Sequence, residues 1–448
     1  LASNLGNVTF GALTVSPDAN QRGLFATENA GTLTITSGTV TTTGATAVEI
    51  TRTTGTTPLA VSLTTVNANG GSNGIYLRGT SGSFAVVGTG AAGSGGTIQN
   101  MVGADGAVAG SGIYLDVVSN VSLSRMQLNG FQNFAIRGFD VAGLAMTNVV
   151  VSGTNGNSAA ANEGSVAFGN EDPGLPVGLR NGLTGTVTIT NCEISGGHED
   201  NFRVMNRSGT LTQLTMTGTT IRDTATVSPG NNGVIFQADG TAVMNVDVVG
   251  GSFLRNRANG IQVITNGGGT IDFSTTGGTF TDNNIGVNVA HNSSGTLLFA
   301  IGTGTYSAVT KTTTASPINV NLASLASGPM TGTVSGNTIT NANSTTGPGI
   351  RVTTNGSNAA ALTIQVENNN ISQIGNRGIE MINRDGNSVL NATVRSNTVS
   401  LTSPLAADGI RIDAGATSGP PADSGTVCAD IAQNTSTTVS GVFGIRVR

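Results

Sequence analysis

The densest polar cluster of this 448-residue chain lies in the segment GGHEDNFRV, residues 196–204. His198, Glu199, Asp200 and Arg203 could bind a sugar through charged hydrogen bonds, or a cation through the two carboxylates. Acid–base cleavage of a glycosidic bond needs two carboxyl groups at a defined separation, which neighbouring residues on one turn rarely provide. We interpret the cluster as a charged surface corner, with glycan or ion binding and then catalysis as the alternatives.

A segment rich in proline and glycine, GNEDPGLPVGLRNG at residues 169–182, precedes that corner. It contains an acidic pair, Glu171 and Asp172, and it lies in the widest gap of the repeat described below. Loops that project from a rigid scaffold carry binding residues more often than the scaffold itself does. We therefore expect an insertion here and count its acidic pair among the candidate ligand-binding residues.

The usual signatures of metal and phosphate chemistry are missing from the sequence. There is no Cys-x-x-Cys or His-x-x-x-His pair, and the glycine-rich runs lack the lysine of a phosphate-binding loop. We expect no metal, no cofactor and no catalytic residue. The net charge of −5 argues against nucleic acid as a partner, and no apolar stretch is long enough to insert into a membrane.

These candidate residues are positioned by a repeat that runs through nearly the whole chain. Units such as VENNNI (366–371) and VRSNTV (394–399) place two apolar residues five positions apart, and a second segment of the form G-I-x-V follows, as in GIEM (378–381) and GIRI (409–412). Apolar residues alternate with polar ones in LTIQV (362–366), which is the period of a β-strand, and no segment has a sustained helical stripe. Fourteen units recur about 30 residues apart. They predict an all-β chain, a right-handed, single-stranded parallel β-helix of about fourteen coils.

The repeat also predicts the domain organisation. We expect residues 1–30 to form a lead-in, with an irregular first coil as one form of it. Residues 31–448 are expected to form one continuous β-helix with an insertion near residues 169–182. Because the chain begins at Leu1 rather than Met and stops within a coil, we expect it to be a piece of a longer precursor.

Four asparagines occupy the same position of successive units: Asn337, Asn369, Asn397 and Asn434. Stacked asparagine side chains can hydrogen-bond along the axis of a β-helix. We interpret the column as an internal structural ladder.

A second column is formed by the x residues of G-I-x-V, and its parity predicts that it faces solvent. Arg351, Glu380 and Arg411 would alternate in charge on neighbouring strands, a favourable cross-strand arrangement. We interpret the column as a solvated face, and the alternative is a groove that binds an acidic glycan through arginine. In chain order the column comprises Tyr76, Tyr114, Arg137, Arg203, Ile235, Gln262, Asn288, Asn319, Arg351, Glu380, Arg411 and Arg446.

The two cysteines lie about eight coils apart, roughly 38 Å by strand spacing, which is too far for a disulfide between them in a straight β-helix. Cys192 takes an inward position, which predicts a buried free thiol. Cys428 has outward parity, which leaves an interchain bond open.

The N-x-I/V corner followed by G-I-x-V resembles the right-handed β-helix repeats of large bacterial secreted proteins, over about residues 30–448. These include autotransporter-like passenger domains, filamentous adhesins and pectate-lyase-like proteins. The resemblance implies a fold rather than an activity. Pectate-lyase-like enzymes are expected to carry an acidic Ca²⁺ cluster and a catalytic arginine on one side, and neighbouring coils here do not stack Asp and Glu.

The regular coils and the resemblance together predict a secreted structural or adhesive rod of a bacterial surface or matrix. Its expected partners are glycans, a host surface or other copies of itself. Neither end has a capping helix, so end-to-end assembly into filaments is expected. The alternative hypothesis is a polysaccharide lyase or glycoside hydrolase that acts near residues 169–207, and a glycan-cleaving virus tail-spike is a third.

Overall fold

The regular elements of the chain are β-strands, and they form two compact units. The computed structural model describes residues 1–170, 180–224, 231–307, 315–340, 347–355, 360–384, 386–402, 407–415, 425–438 and 443–448. Unit 1 comprises Leu1–Asn206 and Thr210–Asn231, and unit 2 comprises Arg207–Gly209 and Asn232–Arg448. Across the described ranges, no helix is long and apolar enough to cross a membrane.

The described strands of unit 1 are Val8–Val15 (β1), Leu24–Thr27 (β2), Leu33–Thr43 (β3), Val48–Thr51 (β4), Thr57–Leu63 (β5), Thr65–Asn69 (β6), Asn73–Val86 (β7), Gly96–Gln99 (β8), Ser111–Ser124 (β9), Met126–Phe131 (β10), Ile136–Thr147 (β11), Val150–Asn155 (β12), Val166–Phe168 (β13), Leu183–Thr190 (β14), Glu193–Ser195 (β15), Phe202–Asn206 (β16), Thr210–Thr217 (β17) and Thr220–Arg222 (β18).

The described strands of unit 2 are Val234–Ala238 (β19), Val243–Val249 (β20), Ser252–Leu254 (β21), Asn259–Gly267 (β22), Thr270–Thr276 (β23), Thr279–Thr281 (β24), Ile285–Ser293 (β25), Leu297–Gly302 (β26), Thr305–Ser307 (β27), Ile318–Leu322 (β28), Met330–Ser335 (β29), Thr338–Thr340 (β30), Ile350–Thr354 (β31), Ala361–Glu367 (β32), Asn370–Ser372 (β33), Ile379–Asn383 (β34), Val389–Arg395 (β35), Thr398–Ser400 (β36), Ile410–Ala414 (β37), Thr426–Ala432 (β38), Thr435–Thr437 (β39) and Ile445–Val447 (β40).

Each coil contributes three strands, which we call the marker, second and third strands; β24, β25 and β26 are one such set. Each strand pairs in parallel with its equivalent in the next coil, as β24 does with β27 and β25 with β28. The predicted right-handed parallel β-helix is therefore confirmed. Among the described residues unit 2 has seven marker strands and unit 1 has eight, with β1 included, so the number of coils is close to the fourteen predicted.

Alternating side chains of these strands fill a narrow apolar core. In unit 2, Phe253, Phe280 and Tyr306 stack on three successive marker strands, with ring centroids 4.8 and 4.6 Å apart and nearly parallel planes. Burial of large rings in register supplies both hydrophobic and aromatic stabilisation. Cys192 lies in the core of unit 1 as a free cysteine, and burial raises the pKa of its thiol to about 11. Cys428 is a free, exposed cysteine, as its parity predicts.

Two parts of the fold differ from or add to what the repeat indicates. The predicted lead-in, residues 1–30, holds β1 and β2, which pair in parallel with β3 and β4. Strand β13 is a second strand that the repeat did not reveal, because its sequence VAF lacks the G-I-x-V form. One continuous β-helix from residue 31 onward stays a prediction.

The asparagine column is a hydrogen-bonded ladder inside unit 2. Asn337 donates its backbone N–H and its Nδ2 to Asn369 Oδ1, both at 3.0 Å, and Asn369 does the same to Asn397 Oδ1. Asn397 donates in turn to Asn434 Oδ1 at 3.0 and 2.9 Å. Each bond satisfies a polar group at a buried corner, where an unpaired one would cost about 1–3 kcal/mol.

Candidate functional site

The corner around His198 is packed into unit 1. Glu199, Asp200 and Arg203 are buried, whereas His198 is partly exposed. Arg203 Nη1 lies 3.6 Å from Asp200 Oδ2, and Arg203 Nη2 donates to the carbonyl oxygen of Asn162 at 2.7 Å. The prediction of a charged surface corner is therefore wrong for its acids, because the neighbouring loop packs on them. Ligand binding at this corner stays a prediction.

Glu171 and Asp172, the acidic pair of the expected insertion, lie outside the described residues. At the described ends of that segment, the backbone N–H of Asn170 donates to the carbonyl oxygen of Arg180 at 3.1 Å in an isolated antiparallel bridge. This bridge holds the backbone of Arg180 next to that of Asn170. Arg180 was not among the candidates from sequence, yet it lines a cationic cleft of unit 1, described below.

The second strands of unit 1 carry an aligned set of outward side chains. We call it the outer column of unit 1. Its first pair of rings, Tyr76 and Tyr114, face each other in register, with centroids 5.5 Å apart and planes at 82°. Edge-to-face packing of this kind stabilises neighbouring aromatic residues. In strand order the column comprises Phe25, Glu49, Tyr76, Tyr114, Arg137, Ala167 and Arg203.

The prediction that this column faces solvent is wrong for Tyr114, Arg137 and Arg203, which are only 3–4% exposed. The loop that contains Asn162 contacts Arg203, and it is bonded to a second loop. The backbone N–H of Gly106 in one loop donates to Oε1 of the fully buried Glu163 in the other at 2.8 Å. Outward parity therefore predicts the direction of a side chain from its strand, but not its exposure.

Arg137 is a buried cation held by aromatic rings. Its guanidinium carbon lies 4.4 Å from the centroid of Phe134 and 4.6 Å from that of Phe139. Its Nη1 has no hydrogen-bond partner. Burial lowers the pKa of Arg137 to about 9, with the nearby charge of Arg203 as the second cause, so the side chain is still cationic at neutral pH. The ring faces supply the compensating electrostatic attraction.

An open cleft of about 410 Å³ lies beside the exposed part of this column. Three arginines, Arg52, Arg78 and Arg180, line it together with a single carboxylate, Asp116. We call it the cationic cleft, and its remaining lining residues are Thr53, Gly55, Thr56, Gly79 and Val117. Within the lining the arginines outnumber the carboxylate three to one, which favours an anionic ligand. Outside the lining, Asp140 pairs with Arg180, and the carboxylate of Glu28 accepts a hydrogen bond from Thr53.

Contacts with neighbouring groups position the three arginines. Arg180 Nη2 lies 2.7 Å from Asp116 Oδ1 in an ion pair, and Arg180 Nε donates to Asp140 Oδ2 at 3.0 Å. Arg78 Nε lies 3.5 Å from Asp116 Oδ2, and Arg52 Nη1 donates to the carbonyl oxygen of Thr56 at 2.6 Å. A guanidinium has five N–H donors, so these contacts leave donors on Arg52 and Arg180 for a ligand.

Gly79 in the same cleft has a backbone conformation that other residues adopt only with strain. Its φ is +57°, and a Cβ atom there would lie 2.3 Å from the carbonyl oxygen of Arg52. The close approach of the two backbone segments therefore depends on glycine. It sets the distance between Arg52 and Arg78 across the cleft.

A second cleft, of about 380 Å³, involves the same strands. Tyr76 lines it with an ion pair in which Arg22 Nε lies 3.2 Å from Glu49 Oε2. Burial raises the pKa of Tyr76, so its hydroxyl is neutral and able to donate. We call this the Tyr76 cleft, and its other lining residues are Asn20, Gly44, Ala45, Thr46, Ser72, Asn73, Val108 and Ala109.

The chemistry available in the two clefts is recognition through hydrogen bonds and charge. The carboxylates of Asp116 and Glu49 each pair with arginine. In the part of the chain that the structure describes, no group of three or more His, Cys, Asp or Glu is placed to hold a metal ion.

The outer column of unit 2 has a different character. Arg351, Glu380, Arg411 and Arg446 align on successive second strands, with Arg351 Nε 3.7 Å from Glu380 Oε2 and Arg411 Nη1 4.0 Å from Glu380 Oε1. The alternation of charge expected from sequence is therefore observed. Glu380 and Arg411 are nevertheless buried, so the expectation of a solvated face is wrong for them.

These residues belong to a larger network that we call the unit 2 ion network. Three buried acids each contact at least two arginines: Glu380 contacts Arg351, Arg377 and Arg411; Asp408 contacts Arg377 and Arg446; Asp413 contacts Arg384, Arg411 and Arg448. The three acids are buried between six arginines, of which Arg351, Arg446 and Arg448 have partly exposed side chains.

Comparisons with known proteins add a fold likeness and no family. No protein-family model matches the chain, and no curated protein matches it. Among solved structures, the crystal structure of PfbA, a surface adhesin of Streptococcus pneumoniae, is similar over 90% of this chain and 83% of that one, with 12% sequence identity and a TM-score of 0.41. A similarity at this level is no basis for assigning a function.

Proposed function

We propose that this protein is an extracellular, adhesive β-helix of a bacterial surface, and that it binds an acidic glycan in the cationic cleft without cleaving it. The observation that carries the proposal is the convergence of Arg52, Arg78 and Arg180 on one open cleft whose lining has a single carboxylate.

Electrostatics support an anionic ligand. The chain as a whole has a net charge of −5, whereas the lining of the cationic cleft has three arginines and one carboxylate. Arginine recognises carboxylate and sulfate groups through paired, charge-assisted hydrogen bonds. Because Arg78 and Arg180 are already positioned by Asp116, less side-chain freedom is lost when a ligand binds.

Several features support a glycan among anionic ligands. The partly exposed ring of Tyr76 lies two residues before Arg78 on β7, so a sugar face could pack on it while an acidic group reaches the arginines. The cleft itself is open and lined by threonines and glycines, which suits hydroxyl-rich ligands. The likeness of the repeat to bacterial secreted proteins supports a location outside the cell.

Isothermal titration with oligogalacturonates and hyaluronan oligosaccharides tests the proposal, with maltohexaose as the neutral probe. Acidic oligosaccharides should bind and the neutral one should not, and 0.5 M NaCl should weaken binding by screening the charges. Arg52→Gln should lower the affinity about tenfold, the loss of roughly one charge-assisted hydrogen bond.

Arg395→Gln is the matched control, since Arg395 is an exposed arginine of unit 2 that pairs with Asp430. It should leave binding unchanged. Equal binding of maltohexaose would contradict the proposal. Shortening of the acidic chains during incubation would instead support the rival hypothesis, a polysaccharide lyase or hydrolase.

End-to-end self-association is a second candidate function. Equivalent strands pair in parallel from coil to coil, so a strand edge left unpaired at an end of the β-helix could pair with a strand of a second copy. Filaments in electron micrographs of the concentrated protein would support this, and single dispersed particles would contradict it.

A further inference from the structure

The cationic cleft and the Tyr76 cleft are served by the same two second strands of unit 1. Strand β4 places Glu49 in the Tyr76 cleft, and Arg52, immediately after its end, lines the cationic cleft. Strand β7 contributes Tyr76 to the Tyr76 cleft and Arg78 to the cationic cleft. Both clefts therefore lie along one strand direction, on the same side of the coil.

The distance between the clefts suits a short oligosaccharide. Asn73 lines the Tyr76 cleft and Arg78 lines the cationic cleft, five residues apart on β7. Five residues of extended strand span about 16 Å, roughly the length of three sugar residues. The side chains of Tyr76 and Arg78 have the same parity on β7, so both project from the same face of the strand.

The cationic cleft and the Tyr76 cleft differ in charge. The cationic cleft carries three arginines and one acid, whereas the Tyr76 cleft carries one arginine and one acid that pair with each other. A second carboxylate bound next to Glu49 would be repelled. Asn20, Thr46 and Ser72 offer hydrogen-bonding groups there for uncharged hydroxyls.

This inference rests on the proposed function. We propose that the two clefts form one groove that binds an oligosaccharide in one arrangement, defined by which kind of sugar lies in which cleft. A carboxylate- or sulfate-bearing sugar occupies the cationic cleft, and a neutral sugar packs against Tyr76. The ligand class is thus a glycan that alternates acidic and neutral sugars, rather than a uniformly acidic one.

Titration with two tetrasaccharides tests this placement of an acidic and a neutral sugar. The first is a hyaluronan tetramer, which alternates glucuronate and N-acetylglucosamine, and the second is tetragalacturonate, which is acidic throughout. The wild-type protein should prefer the hyaluronan tetramer. Glu49→Gln should raise the affinity for tetragalacturonate several-fold, since it removes the repulsion and frees Arg22. The change in affinity for the hyaluronan tetramer should be smaller than that for tetragalacturonate, because no charge of the hyaluronan tetramer lies near Glu49.

A length series tests whether the groove is continuous. Tyr76→Ala should leave the affinity for glucuronic acid itself unchanged and lower the affinity for the hyaluronan tetramer about tenfold, the size expected for one lost aromatic contact. Tyr76→Phe keeps the ring and should retain most of the tetramer affinity. Circular dichroism of both variants checks that the β-helix is intact.

The outcomes separate the two proposals. If affinity does not rise from the monosaccharide to the tetramer, or if Tyr76→Ala weakens both equally, the single groove is wrong while the cationic cleft stands. A preference for tetragalacturonate would overturn the proposal that a neutral sugar occupies the Tyr76 cleft. If no acidic ligand binds, or if Arg52→Gln has no effect, the proposed function fails and the groove with it.

Discussion

The cationic cleft of unit 1 and the ion network of unit 2 use arginine in different ways. In unit 1, Arg52, Arg78 and Arg180 line an open cleft with Asp116. In unit 2, the arginines pair with Glu380, Asp408 and Asp413, all of which are buried. The cleft is open to a ligand, whereas the arginines of the network are in ion pairs with three buried acids.

The difference teaches that arginines beside the second strands have no fixed role in a β-helix. What differs is the number of buried acids that pair with them: three in the unit 2 ion network and Asp116 in the cationic cleft. Buried acids held by several arginines make a network sensitive to the loss of any partner. In the cleft, Asp116 is shared by Arg78 and Arg180, and N–H donors of Arg52 and Arg180 remain for a ligand.

The largest expected effect concerns the stability of unit 2. Asp413 is 2% exposed and contacts Arg384, Arg411 and Arg448. Asp413→Asn leaves the buried part of this cluster without its counter-charge, and we expect a loss of about 3 kcal/mol in the free energy of unfolding. Urea unfolding followed by circular dichroism measures it.

Asp430→Asn is the control for that measurement. Asp430 makes an exposed pair with Arg395, and its loss should cost less than about 1 kcal/mol. Equal destabilisation by the two variants would show that burial does not distinguish the unit 2 ion network from an ordinary surface pair.

The next effect concerns binding in unit 1. The double variant Arg52→Gln with Arg180→Gln removes two of the three cleft cations, and we expect at least about a 100-fold loss of affinity for a hyaluronan tetramer, from two charge-assisted hydrogen bonds. Titration calorimetry measures the loss. The matched double variant Arg351→Gln with Arg446→Gln in unit 2 should bind as the wild type does. If the unit 2 variant is the one that loses binding, the assignment of the cationic cleft and the unit 2 ion network is reversed.

The smallest effect is a dependence of stability on pH. His291 is fully buried in unit 2, with Nδ1 2.6 Å from Thr265 Oγ1 and Nε2 3.3 Å from the carbonyl oxygen of Gly328. Burial lowers the pKa of this imidazole in the folded chain, whereas in the unfolded chain it titrates near 6.5.

The unfolded chain therefore binds a proton first as the pH falls below about 6.5, and stability falls by up to about 1.4 kcal/mol per pH unit until the folded state is protonated too. The measurement compares unfolding midpoints at pH 7.0 and 5.5 for the wild type and for His291→Gln. The variant should lose less stability over this interval. An identical loss in both proteins would exclude His291 as the cause.

The sequence was sufficient to predict the features that recur from coil to coil. The alternation within LTIQV and the recurrence of asparagine at one position led to the parallel coils and the Asn369 ladder, because both follow from local periodicity. Strand β13 was missed since its coil lacks the G-I-x-V form. Cleft members such as Arg52 and Arg180 were missed because they lie outside the strands, in segments with no repeat position.

One signal for the cationic cleft was available. Arg78 follows Tyr76 by two residues on the same strand, so parity alone places both side chains on one face. Parity could not reveal that loops bury Arg137 and leave Arg78 open, since that depends on contacts between distant loops such as the one from Gly106 to Glu163. Exposure of a column in a solenoid is thus a property of its loops.

Hydrogen–deuterium exchange with and without a saturating hyaluronan tetramer tests the central claim most directly, because it reports where on the chain an acidic glycan binds. We expect slower exchange in the segments that line the cationic cleft, residues 52–56, 78–79 and 116–117, and no change in residues 377–384 and 407–415 of the unit 2 ion network. Protection confined to unit 2, or none in unit 1 at saturation, would contradict the assignment of the binding site to unit 1.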